Sequence, residues 1–225
     1  MNKIYISQTK ELTNDELFRR LYYIVSEERR KKIDKLVFRK DKILSLAAGI
    51  LLKKSLSDIG INEFCLEYGK YGKPYIKNKN IFFNLSHSED MVMCAVSDME
   101  IGCDVEKISD IDMEIAKRFF CVNEYEMIKK EQSDEKKKDM FFRLWTLKES
   151  FLKATGYGMS LSTNSFCISI ENKKISVAHN VNDKKYYFTE YDYNDGYKYA
   201  VCGLSPYFDD SVEFVGFRAI YGSEH

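Results

Sequence analysis

The sequence has little of the features that mark membrane, secreted or disordered proteins. It holds only two prolines and eleven glycines in 225 residues, well below the content of disordered or collagen-like chains. Its longest nearly apolar run, 43–52, is too short to cross a bilayer. The first ten residues lack the apolar segment of a signal peptide. We therefore expect a folded, cytoplasmic protein with no membrane partner.

The formal net charge of the chain at pH 7 is zero. Thirty-five basic residues balance 35 acidic ones, so no bulk electrostatic attraction to nucleic acid is expected. The charges are nevertheless unevenly distributed, because 26–42 is rich in basic residues and 98–126 is rich in acidic ones. A basic patch and an acidic cluster in one protein suit a polyanionic ligand bridged by a cation. Two ordinary solvated faces are the alternative.

The six cysteines show no metal-binding or redox spacing. None belongs to a C-x-x-C pair, and none is spaced from the three histidines as zinc ligands are. Most of them lie in apolar, strand-like runs. We expect reduced cysteines in the core, which is typical of an intracellular protein.

The order of apolar patterns predicts an α+β fold. Helices are expected over 13–30 and 40–57, short strands between 63 and 105, three helices within 111–155, and mainly strands thereafter. The order of strand, helices and antiparallel strands occurs twice, and 91–97 resembles 199–205. We predict two similar subdomains, 1–103 and 104–225, related by pseudo-twofold symmetry. Each would be a small, mainly antiparallel sheet packed with helices.

The first candidate site is the segment I-G-C-D-V-E at 101–106. Residues two apart in a strand point to the same side, so Asp104 and Glu106 project together. Neighbouring carboxylates repel each other unless a cation lies between them, and hard oxygen ligands favour Mg²⁺ or Mn²⁺. Gly102 suits a place where another group approaches the backbone closely. D-x-E is nevertheless a common pattern that usually faces solvent.

The second candidate site is W-T-L-K-E-S-F-L-K at 145–153, on a predicted helix that is apolar almost all round. Glu149 lies between aromatic residues on this helix, where a carboxylate is costly to bury without a cation. Lys153 is one turn away on the same face and could be that cation. An ordinary ion pair between the two residues is the alternative.

The third candidate site is F-F-N-L-S-H-S at 82–88, an apolar strand that ends in small polar residues and one histidine. Ser86 and His87 there suit a phosphate or nucleotide contact, and the turn-rich basic segment G-K-Y-G-K-P at 69–74 precedes them. A hydrogen-bonded turn histidine is the alternative.

Together, in this order and spacing, these motifs resemble the 4′-phosphopantetheinyl transferase superfamily. The G-K-P and F-N-x-S-H-S segments match its longer, surfactin-synthetase-activating (Sfp-type) branch. The resemblance implies an enzyme that moves phosphopantetheine from coenzyme A to a conserved serine of an acyl or peptidyl carrier protein and releases 3′,5′-ADP. It also implies a monomer whose first subdomain binds the coenzyme A nucleotide. The second subdomain would hold the metal and the carrier-docking surface, which we expect to include 154–161.

The resemblance also assigns roles to individual residues. Asp104, Glu106 and Glu149 take the three positions that bind Mg²⁺ or Mn²⁺, so Asp104 is also counted as catalytic. Glu124 is the candidate general base, with a water on the metal as the alternative, and Lys153 binds the pyrophosphate. The positions that hold the nucleotide are those of Arg29, Lys32, Ser45, Lys73, Ser86 and His87.

Two other functions compete with this prediction. A Mg²⁺-dependent phosphodiesterase would use the same three acids but would hydrolyse its substrate without a carrier protein. A catalytically inactive module would bind coenzyme A or the carrier and transfer nothing. The natural carrier protein is open among those of fatty-acid, polyketide, peptide-synthetase and lysine biosynthesis.

Overall fold

The computed structural model describes residues 2–172 and 174–222. The strands are β1 Asn2–Gln8, β2 Leu66–Tyr68, β3 Pro74–Ile76, β4 Phe82–Ser88, β5 Met91–Ser97, β6 Ile101–Lys107, β7 Cys167–Glu171, β8 Lys174–Ala178, β9 Tyr187–Tyr191, β10 Tyr197–Gly203 and β11 Glu213–Phe214. The helices are α1 Asp15–Tyr22, α2 Glu27–Lys35, α3 Arg39–Ser57, α4 Glu114–Phe119, α5 Val122–Lys129, α6 Asp134–Thr155 and α7 Phe217–Gly222.

Two lobes repeat one topology. In the first sheet β1 pairs with β5 and β5 with β4, and in the second β6 pairs with β10 and β10 with β9, all antiparallel. A long helix precedes the last two strands each time: α3 packs on β5, and α6 packs on β6 and β10. The predicted α+β fold with an internal duplication is confirmed. Strand β11 pairs in parallel with β1, so the end of the chain joins the first sheet.

The first lobe differs from the prediction in its opening helices. The predicted helix over 13–30 is two helices, because Asn14 and Ser26 each accept a hydrogen bond from the backbone three residues on and so begin a new helix. The second of these helices, α2, packs against α3. Arg29 of α2 thereby lies against the middle of α3, with its Cγ 3.1 Å from where a Cβ atom of Gly49 would be.

The two sheets meet where β4 faces β6, and side chains join them. Asn84 Oδ1 accepts a hydrogen bond from Cys103 N at 2.9 Å, and the Oγ atoms of Ser86 and Ser88 accept from the next alternate amides of β6. A strand edge leaves backbone groups unpaired, and buried ones need partners. Polar residues at alternate positions of β4 therefore hold the lobes together.

The prediction of six reduced core cysteines is wrong for three of them. Cys121 and Cys167 form a disulfide with an S–S distance of 1.99 Å, and Cys65 is an exposed thiol. Cys94, Cys103 and Cys202 are buried thiols, as expected. Among the described residues, no helix is long and apolar enough to span a membrane.

Candidate functional site

Asp104 and Glu106 lie on β6 at the junction of the lobes. Ser86 Oγ donates to Asp104 Oδ1 at 2.7 Å, and Ser88 Oγ donates to Glu106 Oε2 at 2.7 Å. Asp104 is only 2% exposed, and its second oxygen, Oδ2, is buried without a hydrogen-bond partner. A buried carboxylate oxygen with no donor is costly, so this atom calls for a cation.

Helix α6 brings Glu149 and Lys153 to the same place. Lys153 Nζ donates to Asp104 Oδ1 at 2.6 Å and to Ser86 Oγ at 2.9 Å. The helix approaches β6 at Gly102, where a Cβ atom would lie 2.1 Å from the carbonyl oxygen of Ser150. The predicted close approach at Gly102 is therefore confirmed.

The charges of this acidic cluster (Asp104, Glu106 and Glu149) favour a bound cation. Burial raises the pKa of all three carboxyls, and the Asp104 charge raises the pKa of Glu106 and of Glu149 further. Burial opposes the charged form of Lys153, but the neighbouring acidic groups, Asp104 foremost, together outweigh it and raise the pKa of the ammonium. One lysine therefore faces three acids.

The donors of the acidic cluster fit a divalent cation. They are hard oxygen ligands, and one of them, Asp104 Oδ2, is buried and unpartnered. Within the described ranges, the nearest oxygens of the three carboxylates do not all lie within 4.8 Å of one another. A shared ion therefore requires at least one of these side chains to turn toward it.

A cavity of about 420 Å³ adjoins the cluster on the other face of β4. Four of the residues predicted to bind the nucleotide line it: Arg29 and Lys32 from α2, Ser45 from α3 and His87 from β4. Burial lowers the pKa of Arg29 and of Lys32, and partial burial and Lys153 lower that of His87. The hydroxyl of Ser45 is buried without a partner. Basic groups whose charge is disfavoured, beside an unpaired hydroxyl, suit an anion.

Two residues predicted to bind the nucleotide lie elsewhere. Ser86 points to the opposite face of β4 from His87, where it bonds Asp104 and Lys153. Lys73 Nζ donates to the backbone carbonyls of Ile101 and Ala154 at 2.9 and 3.1 Å. Neither side chain lines the basic cavity.

Glu124, the predicted general base, is fully buried and engaged on both oxygens. Oε1 accepts from Ile168 N and Oε2 from Cys121 N, and Lys148 Nζ donates to both oxygens at 2.7 and 2.8 Å. Both side chains of this ion pair are 0% exposed. The geometry disfavours Glu124 as a base, because a base must reach the substrate proton. Cys121 Sγ and Cys167 Sγ lie within 4.8 Å of Glu124, but they are bonded to each other.

A second cavity, of about 740 Å³, opens beyond Glu106. Its lining includes Ser88, Glu106, Phe142 and Tyr197. Glu106 therefore joins the acidic cluster to this cavity, and the basic cavity lies on the other face of β4. Sequence reasoning missed Asn84 and Ser88, although their alternation with Ser86 along β4 was a readable signal. It also missed Asp41 and Tyr68, which line the basic cavity.

Family models match both lobes of the chain. The model described as the 4′-phosphopantetheinyl transferase superfamily matches residues 100–202. The model described as the N-terminal part of 4′-phosphopantetheinyl transferase matches residues 12–99. The chain is 34% identical over 224 residues to the 4′-phosphopantetheinyl transferase ffp of Bacillus subtilis, which covers 97% of this chain and 99% of that one.

The chain belongs to the 4′-phosphopantetheinyl transferase superfamily. It is also 33% identical to the 4′-phosphopantetheinyl transferase Sfp of Bacillus subtilis strain 168, over 97% of this chain and 99% of the other. Identity to the transferase gsp of Aneurinibacillus migulanus is 36%, over 80% of this chain and 76% of the other. These likenesses agree with the Sfp-type branch of the superfamily.

Proposed function

We propose that this protein transfers 4′-phosphopantetheine from coenzyme A to a serine of an acyl or peptidyl carrier protein and releases 3′,5′-ADP. The observation that carries the proposal is the acidic cluster with the unpartnered Asp104 Oδ2, beside Lys153 and next to a basic cavity. Coenzyme A has a 3′-phosphate and a pyrophosphate, so one molecule can engage both features.

The basic cavity would hold the nucleotide end of coenzyme A. Arg29 and Lys32 supply positive charge there for the 3′-phosphate, and His87 can take up a proton as the phosphate binds. The unpaired Ser45 hydroxyl can donate to one of the phosphate oxygens. Because successive side chains of β4 point to opposite faces of the strand, His87 would face the nucleotide and Ser86 faces the acidic cluster. The pyrophosphate would then reach Lys153.

Asp104, Glu106 and Glu149 would hold Mg²⁺ or Mn²⁺. Such an ion would neutralise charge on the oxygens of the phosphoryl group whose phosphorus is attacked, and on the leaving group. Ser86 and Ser88 fix the orientations of Asp104 and Glu106 by the hydrogen bonds that they donate. The Lys153 ammonium adds charge on the leaving-group side, and its contact with Asp104 keeps it protonated.

The carrier serine would approach through the second cavity. The serine oxygen attacks the phosphorus on the pantetheine side, and the bond from that phosphorus to the oxygen of 3′,5′-ADP breaks. Carboxyls of Glu89, Asp90 and Glu106 line this cavity, so proton acceptors are at hand there without Glu124. The docking role of 154–161 stays a prediction. Leu161 is partly packed against a core cluster, and the side chain of Met159 lies outside the described residues.

The test is the loading of an apo carrier protein, followed by mass spectrometry. With coenzyme A and Mg²⁺, the carrier should gain the mass of one phosphopantetheine, and a chelator should stop the gain. Glu149→Gln should not load the carrier, whereas Glu135→Gln, the same change at an exposed position of α6, should load it normally.

Two results would overturn the proposal. Release of 3′,5′-ADP at the same rate without a carrier would favour the phosphodiesterase. Binding of coenzyme A with no loading of fatty-acid, polyketide, peptide-synthetase or lysine-pathway carriers would favour the inactive module.

A further inference from the structure

Lys73 lies in a turn of the first lobe that reaches the C-terminal end of α6. The turn over 69–73 closes with a hydrogen bond from Gly69 N to Lys73 O at 2.9 Å. The ring of Tyr71 lies 5.3 Å from that of Tyr157, just beyond α6. The turn therefore touches the second lobe through both an aromatic contact and the Lys73 ammonium.

The two carbonyls that Lys73 binds are backbone groups that need a donor. Ala154 lies in the last turn of α6, where carbonyls have no partner within the helix. Ile101 begins β6 at the edge that faces β4, the edge whose amides are bound by Asn84, Ser86 and Ser88. Lys73 therefore adds a fourth side chain that binds this edge of β6, and the same ammonium also binds the end of α6.

The same place sets the register between α6 and β6. At Gly102, a Cβ atom would lie 2.1 Å from Ser150 O and 2.3 Å from Ala154 N. Glu149 and Lys153 stand immediately beside these contacts on α6, and Asp104 is two residues beyond Gly102 on β6. A small shift of the helix end would therefore change the spacing within the acidic cluster.

We propose that Lys73 is a positioning residue that fixes the C-terminal turn of α6 against the start of β6 and so sets the spacing of Glu149 and Lys153 from Asp104. This inference rests on the function proposed above. It replaces the nucleotide contact expected for Lys73. The same turn also supplies Gly72 to the wall of the basic cavity, so nucleotide binding and the placement of α6 share one structural element.

The hydrogen-bond partners of Lys73 are neutral carbonyls rather than carboxylates. Burial lowers its pKa to about 8, against an opposing effect of Glu100. Lys184, whose charge lowers the pKa slightly, pairs with Glu100 at 2.7 Å. No carboxylate among the described residues forms an ion pair with Lys73, so the two carbonyls are its bonding partners.

The test compares Lys73→Met with Lys70→Met, a change of the same kind at an exposed position of the same turn. Two affinities are measured: that of 3′,5′-ADP without metal, by calorimetry, and that of Mn²⁺ for protein saturated with coenzyme A, by electron paramagnetic resonance. Lys73→Met should bind Mn²⁺ about tenfold more weakly and turn over about ten- to a hundredfold more slowly, because a small misplacement is costly in catalysis. Its affinity for 3′,5′-ADP should stay within about twofold of the wild type, because the Lys73 side chain does not line the basic cavity.

Lys73→Arg keeps a charged donor and should recover most of the Mn²⁺ affinity. If Lys73→Met does not fold, Lys73→Arg is compared with Lys73→Gln instead. Lys73→Arg should then bind Mn²⁺ more tightly than Lys73→Gln. Unchanged Mn²⁺ affinity and turnover would overturn the proposal, and so would a tenfold loss of 3′,5′-ADP affinity, the sign of a nucleotide contact. If wild-type protein loads no carrier, the proposed function fails, whereas the Mn²⁺ affinities still judge Lys73.

Discussion

Two buried carboxylates in the second lobe, Asp104 and Glu124, differ in how their charge is met. Both oxygens of Glu124 are bonded, and the fully buried Lys148 pairs with it. Asp104 shares Lys153 with two other acids and leaves Oδ2 without a donor. A complete set of partners makes a buried charge part of the structure, whereas an incomplete set marks a place where a ligand's charge is needed.

Helix α6 serves both carboxylates through adjacent residues. Lys148 faces α5 and β7, where its ammonium also donates to Phe166 O at 2.8 Å. Glu149, the next residue, faces β6. One helix therefore separates a structural ion pair from the acidic cluster by a single position, and changes on the two sides should have opposite consequences for stability and activity.

The largest effect is expected from breaking the Glu124–Lys148 pair. Glu124→Gln or Lys148→Met should each lower the free energy of unfolding by about 3–5 kcal/mol, because the remaining partner keeps a buried, uncompensated charge or polar group. The double variant should recover part of the loss, which a double-mutant cycle by urea unfolding would measure. A loss below about 1 kcal/mol in both single variants would contradict the structural role.

Turnover of Glu124→Gln at a temperature where it is folded sharpens the comparison. We expect a fall of less than about tenfold per folded molecule, since a general base contributes about 10²- to 10⁴-fold. A loss within that larger range, with the fold intact by circular dichroism, would restore Glu124 as the base.

Glu149→Gln should have the reverse signature. Turnover should fall by about 10²- to 10³-fold, the usual effect of removing one electrostatic contact to the transition state, while the unfolding free energy stays the same or rises. The rise follows because a neutral amide removes one of three repelling charges. Equal losses of stability in Glu149→Gln and Glu124→Gln would erase the distinction between the two sites.

Metal should stabilise the protein through the acidic cluster. With coenzyme A present, Mg²⁺ at a hundred times its dissociation constant should raise the unfolding free energy by about 2.7 kcal/mol. Asp104→Asn should lower the increase by at least about 1.3 kcal/mol, the effect of tenfold weaker binding, and Asp110→Asn, at an exposed position, should preserve it. An equal increase in all three proteins would place the metal elsewhere.

The smallest effect concerns the pH dependence of nucleotide binding. The pKa of His87 lies below its ordinary value, so the free imidazole is neutral at pH 7.5. A bound phosphate favours the imidazolium and raises that pKa, so binding takes up a proton. The affinity for 3′,5′-ADP should therefore rise about three- to tenfold as pH falls from about 7.5 to 6. His87→Gln should show no such increase in affinity at lower pH. An increase that persists in this variant would come from another titrating group.

The acidic cluster was predictable because its signals are local. Asp104 and Glu106 follow from strand alternation, and Gly102 from the need for close approach. The same alternation, applied to β4, puts Ser86 and His87 on opposite faces of the strand, although both residues were predicted to contact the nucleotide. That prediction treated the motif as one unit rather than as two faces of a strand.

Other features depend on contacts between distant segments, which no local pattern shows. Glu124 and Lys148 are 24 residues apart, and the disulfide joins cysteines 46 apart. Lys73 reaches Ala154 across 81 residues. A basic residue in a glycine-rich turn suggests a phosphate contact, and only the packing of the two lobes shows that backbone carbonyls take that ammonium instead.

The proposed chemistry requires one ion held by Asp104, Glu106 and Glu149. Electron paramagnetic resonance of Mn²⁺ titrated into the coenzyme A complex tests this directly. We predict one bound Mn²⁺ per chain in the wild type and at least about tenfold weaker binding in both Asp104→Asn and Glu149→Gln. One Mn²⁺ bound with unchanged affinity in both variants would contradict the account.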